Sequence, residues 1–411
     1  MISLGDRVIL HCDCNSFFAS VESALHPEYK NVPMAVCGSV EDRRGIVLAK
    51  NEIAKRYNIQ TAETVFSAKK KCPHLVIAEP HHELYSEFSK RVNDIYKRFT
   101  DMVEPFGIDE SWLDVTGSQK IFGDGYEIAK KISDAVKSEI GITISVGVSF
   151  NKAFAKLGSD YKKPDAITVV SRDNFKSIIY GLPVSMLLFV GKKTEEQLIG
   201  MGIRTIGELA GSSRDMLISR LGKNGELLHK YALGEDDSPV LSTAHDDVKS
   251  ISNGITFRHD LTTSDEYRIG IDFLSEEIGT RLREKGLKAS TVQITIKDVY
   301  LRSIQRQRAQ NPPSNIGADI SRTAFDILKS EWKSGAPIRM LTVSVTNLLR
   351  TDQVASQLSI FEDTDKPKRA KRLKKEIAVD KIRQKYGKES IIKGAVLDTD
   401  LGIYTAPEKN N

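Results

Sequence analysis

The chain of 411 residues is too long for a single hydrophobic core, so roughly two to four domains are expected. Its 40% hydrophobic content fits folded domains rather than disorder, and no run of about twenty apolar residues is present to span a membrane. The formal net charge is a modest +5. The N-terminal segment lacks the charged stretch and apolar core of a secretory signal. The cysteines Cys12, Cys14, Cys37 and Cys72 show no Cys-x-x-Cys spacing, so they read as reduced core thiols of a cytoplasmic protein.

Residues 7–14 read as a buried strand and residues 17–25 as a helix. Residues 34–37 and 45–49 are short strands. Residues 51–57 and 64–71 are helical, the second stopping before Cys72-Pro73. These elements form a small α+β module inserted after the first strand. Residues 83–100 make a long amphipathic helix, residues 102–115 a β-hairpin, and residues 126–140 a helix in which Ile128, Ile132, Val136 and Ile140 recur every four positions. Residues 142–149 alternate as a strand, and residues 167–170 close a sheet. This order is that of a ferredoxin-like α+β fold.

Composition shifts near Arg172. Residues 175–234 read as helices with short loops, punctuated by Gly191, Gly200, Gly202, Gly207 and Gly222. The stretch 198–209 suggests a helix-hairpin-helix unit, whose glycine turns let backbone N–H groups approach a phosphate. Residues 235–248 are acidic, polar and linker-like. Residues 250–350 return to α+β, with helices at 267–285 and 320–332 and a last strand at 339–348. Residues 290–308 alternate like long strands, placing Arg302, Arg306 and Arg308 on one face. Beyond Arg350 the chain reads as looser: an amphipathic island at 357–361, a basic, solvated stretch at 366–375, and a short helix-turn element at 378–395. Basic side chains outnumber acidic ones in residues 250–350 and again in residues 362–411, which fits contact with a phosphate backbone.

Two acidic clusters carry the chemistry. Asp13 closes the apolar run Val8-Ile9-Leu10-His11-Cys12, and Asp109-Glu110 sits within the hairpin Phe106–Val115. A carboxylate beside a buried strand is costly unless a cation compensates it. Three such groups converging from two strands make an oxygen-rich site suited to Mg²⁺, and paired metals drive phosphoryl or nucleotidyl transfer. A non-catalytic DNA-binding or clamp-recruitment protein would not need all three acids. A nucleotidyl cyclase would not need the helical segment, the second α+β segment or the basic tail.

Four motifs, in order and spacing, resemble the Y-family translesion DNA polymerases of the DinB and UmuC branch, and bacterial polymerase IV in particular. Residues 13–22 (Asp-Cys-Asn-Ser-Phe-Phe-Ala-Ser-Val-Glu) resemble the first motif, and residues 108–114 (Ile-Asp-Glu-Ser-Trp-Leu-Asp) the central catalytic one. Residues 149–156 with Asp160 and Lys162-Lys163-Pro164 resemble the third. Residues 51–57 and 68–75 resemble the finger region. The likeness covers residues 7–350.

The resemblance implies an α+β multidomain polymerase: a ferredoxin-like palm (1–16 and 83–173), small fingers (17–82), a helix-hairpin-helix thumb (174–241), a linker (242–249), an α+β little finger (250–350) and a C-terminal tail (351–411). It implies that Asp13, Asp109 and Glu110, with the Cys14 carbonyl, bind two Mg²⁺ ions. It makes Phe18 the steric gate against a ribose 2′-hydroxyl. Lys55, Lys163 and the backbone around Ser16, Phe17 and Phe18 would hold the triphosphate. Arg302, Arg306 and Arg308 are expected to contact DNA. Gln357-Leu358-Ser359-Ile360-Phe361 resembles the bacterial sliding-clamp-binding pentapeptide, with Gln357, Leu358, Ile360 and Phe361 as its anchors. The implied partners are primer-template DNA, dNTPs and the clamp (the beta subunit), and the implied state is a monomer that carries out error-prone synthesis without proofreading. Departures from the common DinB pattern are Asn15 for the second acid of the first motif, Glu52 where many members have Tyr, Lys55 where many have Arg, and Phe189-Val190-Gly191-Lys192-Lys193 in place of the Pro-Gly-Ile-Gly of the thumb hairpin.

Overall fold

The computed structural model describes residues 6–242, 248–332, 335–352, 366–397 and 399–403. The chain divides into two compact units. One comprises Met1–Gly38 and Ile46–Asp246, the other Ser39–Gly45 and Asp247–Asn411.

The first unit is organised around β1 (Ile9–Cys14), whose six residues are all buried. Helix α1 (Phe17–Leu25) follows at once. The inserted module comprises β2 (Met34–Cys37), β3 (Val47–Lys50), α2 (Glu52–Lys55), α3 (Val65–Lys71) and β4 (Val76–Ala78). Helix α2 is shorter than residues 51–57 suggested; Asn51 caps it by accepting from the Ala54 N–H. Strand β4 is unforeseen and joins parallel to β2, giving a three-stranded sheet ordered β3-β2-β4.

Then come α4 (His82–Tyr96), β5 (Val103–Pro105), β6 (Glu110–Asp114), α5 (Gln119–Phe122), α6 (Gly125–Ile140), β7 (Ile144–Ser149), α7 (Lys152–Tyr161) and β8 (Ile167–Val170). The five-stranded sheet is ordered β5-β6-β1-β7-β8, with β1 at its centre and antiparallel to both neighbours. Leu10 and Cys12 of β1 pack with Phe17 and Val21 of α1, Phe88 and Val92 of α4, and the four-spaced isoleucine and valine face of α6. Helix α7 lies against β1 and β7 and was not expected as an element. It fits because β7 carries Gly147: a Cβ there would stand 1.8 Å from the Ala155 carbonyl oxygen.

Five helices complete this unit: α8 (Phe175–Ile179), α9 (Lys192–Gly200), α10 (Ile206–Ala210), α11 (Arg214–Leu221) and α12 (Lys223–Leu233). The α9–α10 connection is the tight turn between two helices that the helix-hairpin-helix reading of residues 198–209 called for. Its Gly202 has φ +82°, a conformation that favours glycine.

The second unit contains β9 (Ser250–Leu261), α13 (Ser264–Glu284), β10 (Leu287–Asp298), β11 (Ser303–Ser314), α14 (Gly317–Glu331) and β12 (Ile338–Arg350). Its sheet is ordered β11-β10-β12-β9. Val292, Ile294 and Ile296 of β10 and Leu341, Val343 and Val345 of β12 pack against Ile271, Leu274 and Ile278 of α13 and Ile320 and Ala324 of α14.

The tail corrects the sequence reading of a solvated basic stretch. Residues 366–375 begin a 21-residue helix, α15 (Lys366–Tyr386), which is docked rather than free. Arg283 of α13 is only 8% exposed at its side chain and meets Glu376 at 2.5 Å and Asp380 at 2.6 Å. Arg369 and Arg372 of α15 reach Asp319 of α14. Glu376 also accepts from the N–H groups of Gly317 and Ala318, satisfying orphan donors at the start of α14. A short helix α16 (Gly394–Leu397) follows. Among the described residues no helix is long and apolar enough to cross a membrane, and all four cysteines are buried free thiols.

Candidate active site

The antiparallel register of β1 and β6 sets Asp13 directly opposite Glu110. Asp109 sits one residue before β6, and its carbonyl accepts from the Cys14 N–H at 3.0 Å. The three acids therefore gather at one end of the central strand pair, as their sequence positions suggested. Asp13 is 5% exposed. Burial pushes its carboxyl up to about 7, against the opposing pull of the Lys163 ammonium. Asp109 is also raised, by burial and by its neighbour Glu110. Burial acts the same way on Glu110 but is outdone by the contacts with His11 and Lys156, which hold its carboxyl down to about 2.

The cations opposite these acids come from α7 and the residues just beyond it. Lys156 Nζ lies 2.5 Å from Glu110 Oε2. Lys163 Nζ lies 2.6 Å from Asp13 Oδ2 and 2.7 Å from Asp160 Oδ1. Lys163 was expected at this site; Lys156 and Asp160 were seen only as motif members without a role. His11 was missed altogether. It is fully buried, and its Nδ1 is 2.8 Å from the Ser159 hydroxyl. Its Nε2 stands 3.2 Å from Glu110 Oε2 but outside hydrogen-bonding alignment, so the pair is a close contact and not a hydrogen bond. Burial lowers the His11 pKa. The signal was in the sequence: a polar residue inside the apolar run of β1, two positions before Asp13.

Among the described residues, no group of three or more His, Cys, Asp or Glu side chains is gathered closely enough to hold a metal ion as the side chains stand. Lys163 and Lys156 instead occupy the oxygens of Asp13 and Glu110. The donor set nevertheless fits a hard divalent cation: three carboxylates, two of which already draw a cation to themselves. Asn15, read from the sequence as a departure from the first motif, is a buried brace. It donates to Thr143 Oγ1 at 3.1 Å and accepts from the Ser145 hydroxyl at 2.8 Å.

Ser16, at the start of α1, has φ +49°, and its hydroxyl donates to Glu52 Oε1 at 3.1 Å. Lys55 is tied to the same Glu52 oxygen at 2.5 Å. Glu52, noted in the sequence only as a departure, thus joins Ser16 to Lys55. The Phe17 side chain is buried in the core at 3% exposed, which leaves its backbone as the part expected to meet a triphosphate. Phe18 is half-buried and stacks on Tyr85 of α4, ring centroids 4.1 Å apart.

Of the three arginines of the second unit, only Arg306 and Arg308 lie on a strand. Arg302 lies in the turn before β11, where its Nε donates to Asp298 Oδ2 at 2.9 Å. Arg306 and Arg308 do lie on one face, paired across from Ile294 and Val292. Those partners point into the core, so the two arginines sit on the helix side of the edge strand, near Glu331 and Ser330 of α14. Gln357, Leu358, Ile360 and Phe361 lie outside the described residues.

Comparison with known proteins shows the family. Residues 12–160 match the impB/mucB/samB family, and residues 248–360 match the C-terminal domain of the same family. The DNA polymerase IV of Acetivibrio thermocellus is 47% identical over 398 residues, 97% of this chain and 99% of the relative. That of Clostridium kluyveri is 38% identical over 394 residues, 95% of this chain and 98% of the relative. A solved Y-family DNA polymerase chimera shares the fold at TM-score 0.74 and 21% identity, over 84% of this chain and 99% of its own. The chain therefore belongs to the impB/mucB/samB family and is a DinB-like Y-family DNA polymerase.

Proposed function

We propose that the chain extends a primer 3′-hydroxyl with dNTPs on a DNA template by error-prone translesion synthesis, without proofreading. The observation that carries this is the convergence of Asp13, Asp109 and Glu110 at the end of the central strand pair, with lysine ammonium groups already on two of them. Asp13, Asp109 and Glu110, with the Cys14 carbonyl, would hold two Mg²⁺ ions. Such ions lower the pKa of a hydroxyl nucleophile and stabilise charge on a departing pyrophosphate. Lys163 and Lys55 supply the chain's own positive charge to the triphosphate, and Ser16 orients it at the start of α1. Phe18 excludes the 2′-hydroxyl of a ribonucleotide.

The basic edge carrying Arg302, Arg306 and Arg308 contributes phosphate contacts to primer-template DNA. Residues 357–361 tether the enzyme, a cytoplasmic monomer, to the sliding clamp and so raise its effective concentration at the primer end. Primer extension with dNTPs and Mg²⁺ tests the central claim. Template-directed extension, lost on removing Mg²⁺, is the expected result. A protein that binds primer-template but adds no nucleotide would overturn it.

A further inference from the structure

Phe18 and Glu22 are four residues apart on α1 and so share one face of the helix. Tyr85 of α4 touches both. Its ring lies nearly flat on Phe18, with planes 15° from parallel. Its hydroxyl donates to Glu22 Oε1 at 2.5 Å. His81, the residue before α4, meets the same oxygen through Nδ1 at 2.9 Å. His82 stands edge-on to both rings, its centroid 5.8 Å from each.

Glu22 is 1% exposed and Tyr85 fully buried. A carboxylate at that depth is a poor way to fill space, because an apolar side chain would pack there without the cost of desolvating a charge. What the carboxylate adds is direction. It pins the Tyr85 hydroxyl, and with it the height and tilt of the ring on which Phe18 rests. Burial and the bond to Glu22 push the Tyr85 pKa up, so the hydroxyl remains a donor.

We propose that Glu22 is a positioning residue for sugar selection: through Tyr85 it holds the Phe18 ring where a ribose 2′-hydroxyl would collide with it. This rests on the reading of Phe18 as the gate. Glu22 touches no reacting atom, and Phe18 is held from one side by its own helix and from the other by an aromatic ring anchored to that same helix.

The test is single-nucleotide primer extension with Mg²⁺, measuring kcat/KM for a dNTP and its matching rNTP. It compares the wild type with F18A, Y85F, E22L, E22Q and Y85F/E22L. The dNTP-to-rNTP ratio is expected to fall roughly tenfold in Y85F and in E22L, as small misplacements of a positioned group do. E22Q keeps an acceptor for the Tyr85 hydroxyl and should restore the wild-type ratio. The double variant should be no worse than E22L alone, because both changes cut the same link. A merely structural role would slow both nucleotides together and leave the ratio in place. Y85F removes one oxygen and keeps the ring, so it carries the test should E22L not fold. If F18A lowers the ratio while Y85F and E22L leave it unchanged, the positioning role is overturned and the gate stands. If F18A leaves the ratio unchanged, the gate itself is overturned, and the role of Glu22 with it.

Discussion

Glu110→Gln swaps a carboxylate for an amide of the same shape, so its effects separate charge from packing. The Glu110 side chain is 22% exposed, and its carboxyl is held down to about 2 against an ordinary 4.5. That difference corresponds to roughly 3 kcal/mol favouring the charged form at neutral pH. The variant should therefore lose about 1–3 kcal/mol of folding stability, because the Lys156 ammonium keeps its place without its counter-charge. The loss in extension should be far larger. Deleting one charge-stabilising group from a reaction centre costs roughly a hundred- to a thousandfold in kcat, and weakening a metal site costs more. We expect a fall of at least about a thousandfold in single-nucleotide extension at saturating primer-template, with DNA affinity by fluorescence anisotropy nearly unchanged. The comparison needs denaturant unfolding alongside, so that lost fold is not read as lost chemistry. Extension within about tenfold of the wild type, with folding and DNA binding intact, would remove Glu110 from the catalytic set.

The remaining expectations concern other parts of the chain. Phe18→Ala should admit ribonucleotides while retaining dNTP incorporation, and unchanged discrimination would place the gate elsewhere. Gly147→Ala should destabilise the first unit by at least about 3 kcal/mol in denaturant unfolding. The added Cβ would stand 1.8 Å from the Ala155 carbonyl oxygen and 2.5 Å from the Ser159 nitrogen, neither of which can move without shifting α7; a near-neutral result would mean that α7 does not pack so closely on β7. Neutralising Arg302, Arg306 and Arg308 together should lower the log–log salt dependence of DNA binding by roughly 0.9 for each phosphate left without its arginine. An unchanged slope means that these residues do not touch DNA. Replacing Gln357, Leu358 and Phe361 by Ala should abolish clamp-stimulated processivity and spare clamp-free extension, and undiminished stimulation would rule the pentapeptide out.

The parts legible in the sequence were those that apolar periodicity encodes. The six buried residues of β1 and the four-spaced face of α6 announce themselves, and Asp13 is conspicuous because it interrupts such a run. The pairing of Lys156 with Glu110 and of Lys163 with Asp13 was not legible. It depends on how closely α7 approaches the sheet, and that is decided at Gly147 and by the register of β1 with β6 and β7. Strand β9 escaped because its buried positions, Ile251, Ile255, Phe257 and Leu261, skip the strict period of two, and Gly254 lies among them.

The first half of helix α15 escaped for the opposite reason. The docked face of the helix consists of Arg369, Arg372, Glu376, Asp380 and Arg383, all paired with charges or backbone groups on α13, α14 and the turn that follows it. Its isoleucines Ile377 and Ile382 stay exposed. A search for apolar stripes reads such a segment as solvated, because charge rather than burial selects its inner face. The same blindness affected β11. Period two correctly put Arg306 beside Arg308, but on an edge strand with polar residues on both sides it could not say which face was which. Ile304, two residues earlier and packed against the core, settles it: side chains of that parity point toward the helices. The open face of the sheet is then left to Gln305 and Gln307 of β11, Gln293, Thr295 and Lys297 of β10, and Thr342 and Ser344 of β12. Those side chains offer hydrogen bonds and, among them, the one charge of Lys297. A salt-dependent grip on DNA by this unit is therefore expected chiefly from its edges and its helical side, where Arg302, Arg306 and Arg308 are, with Lys297 the cation that the open face adds.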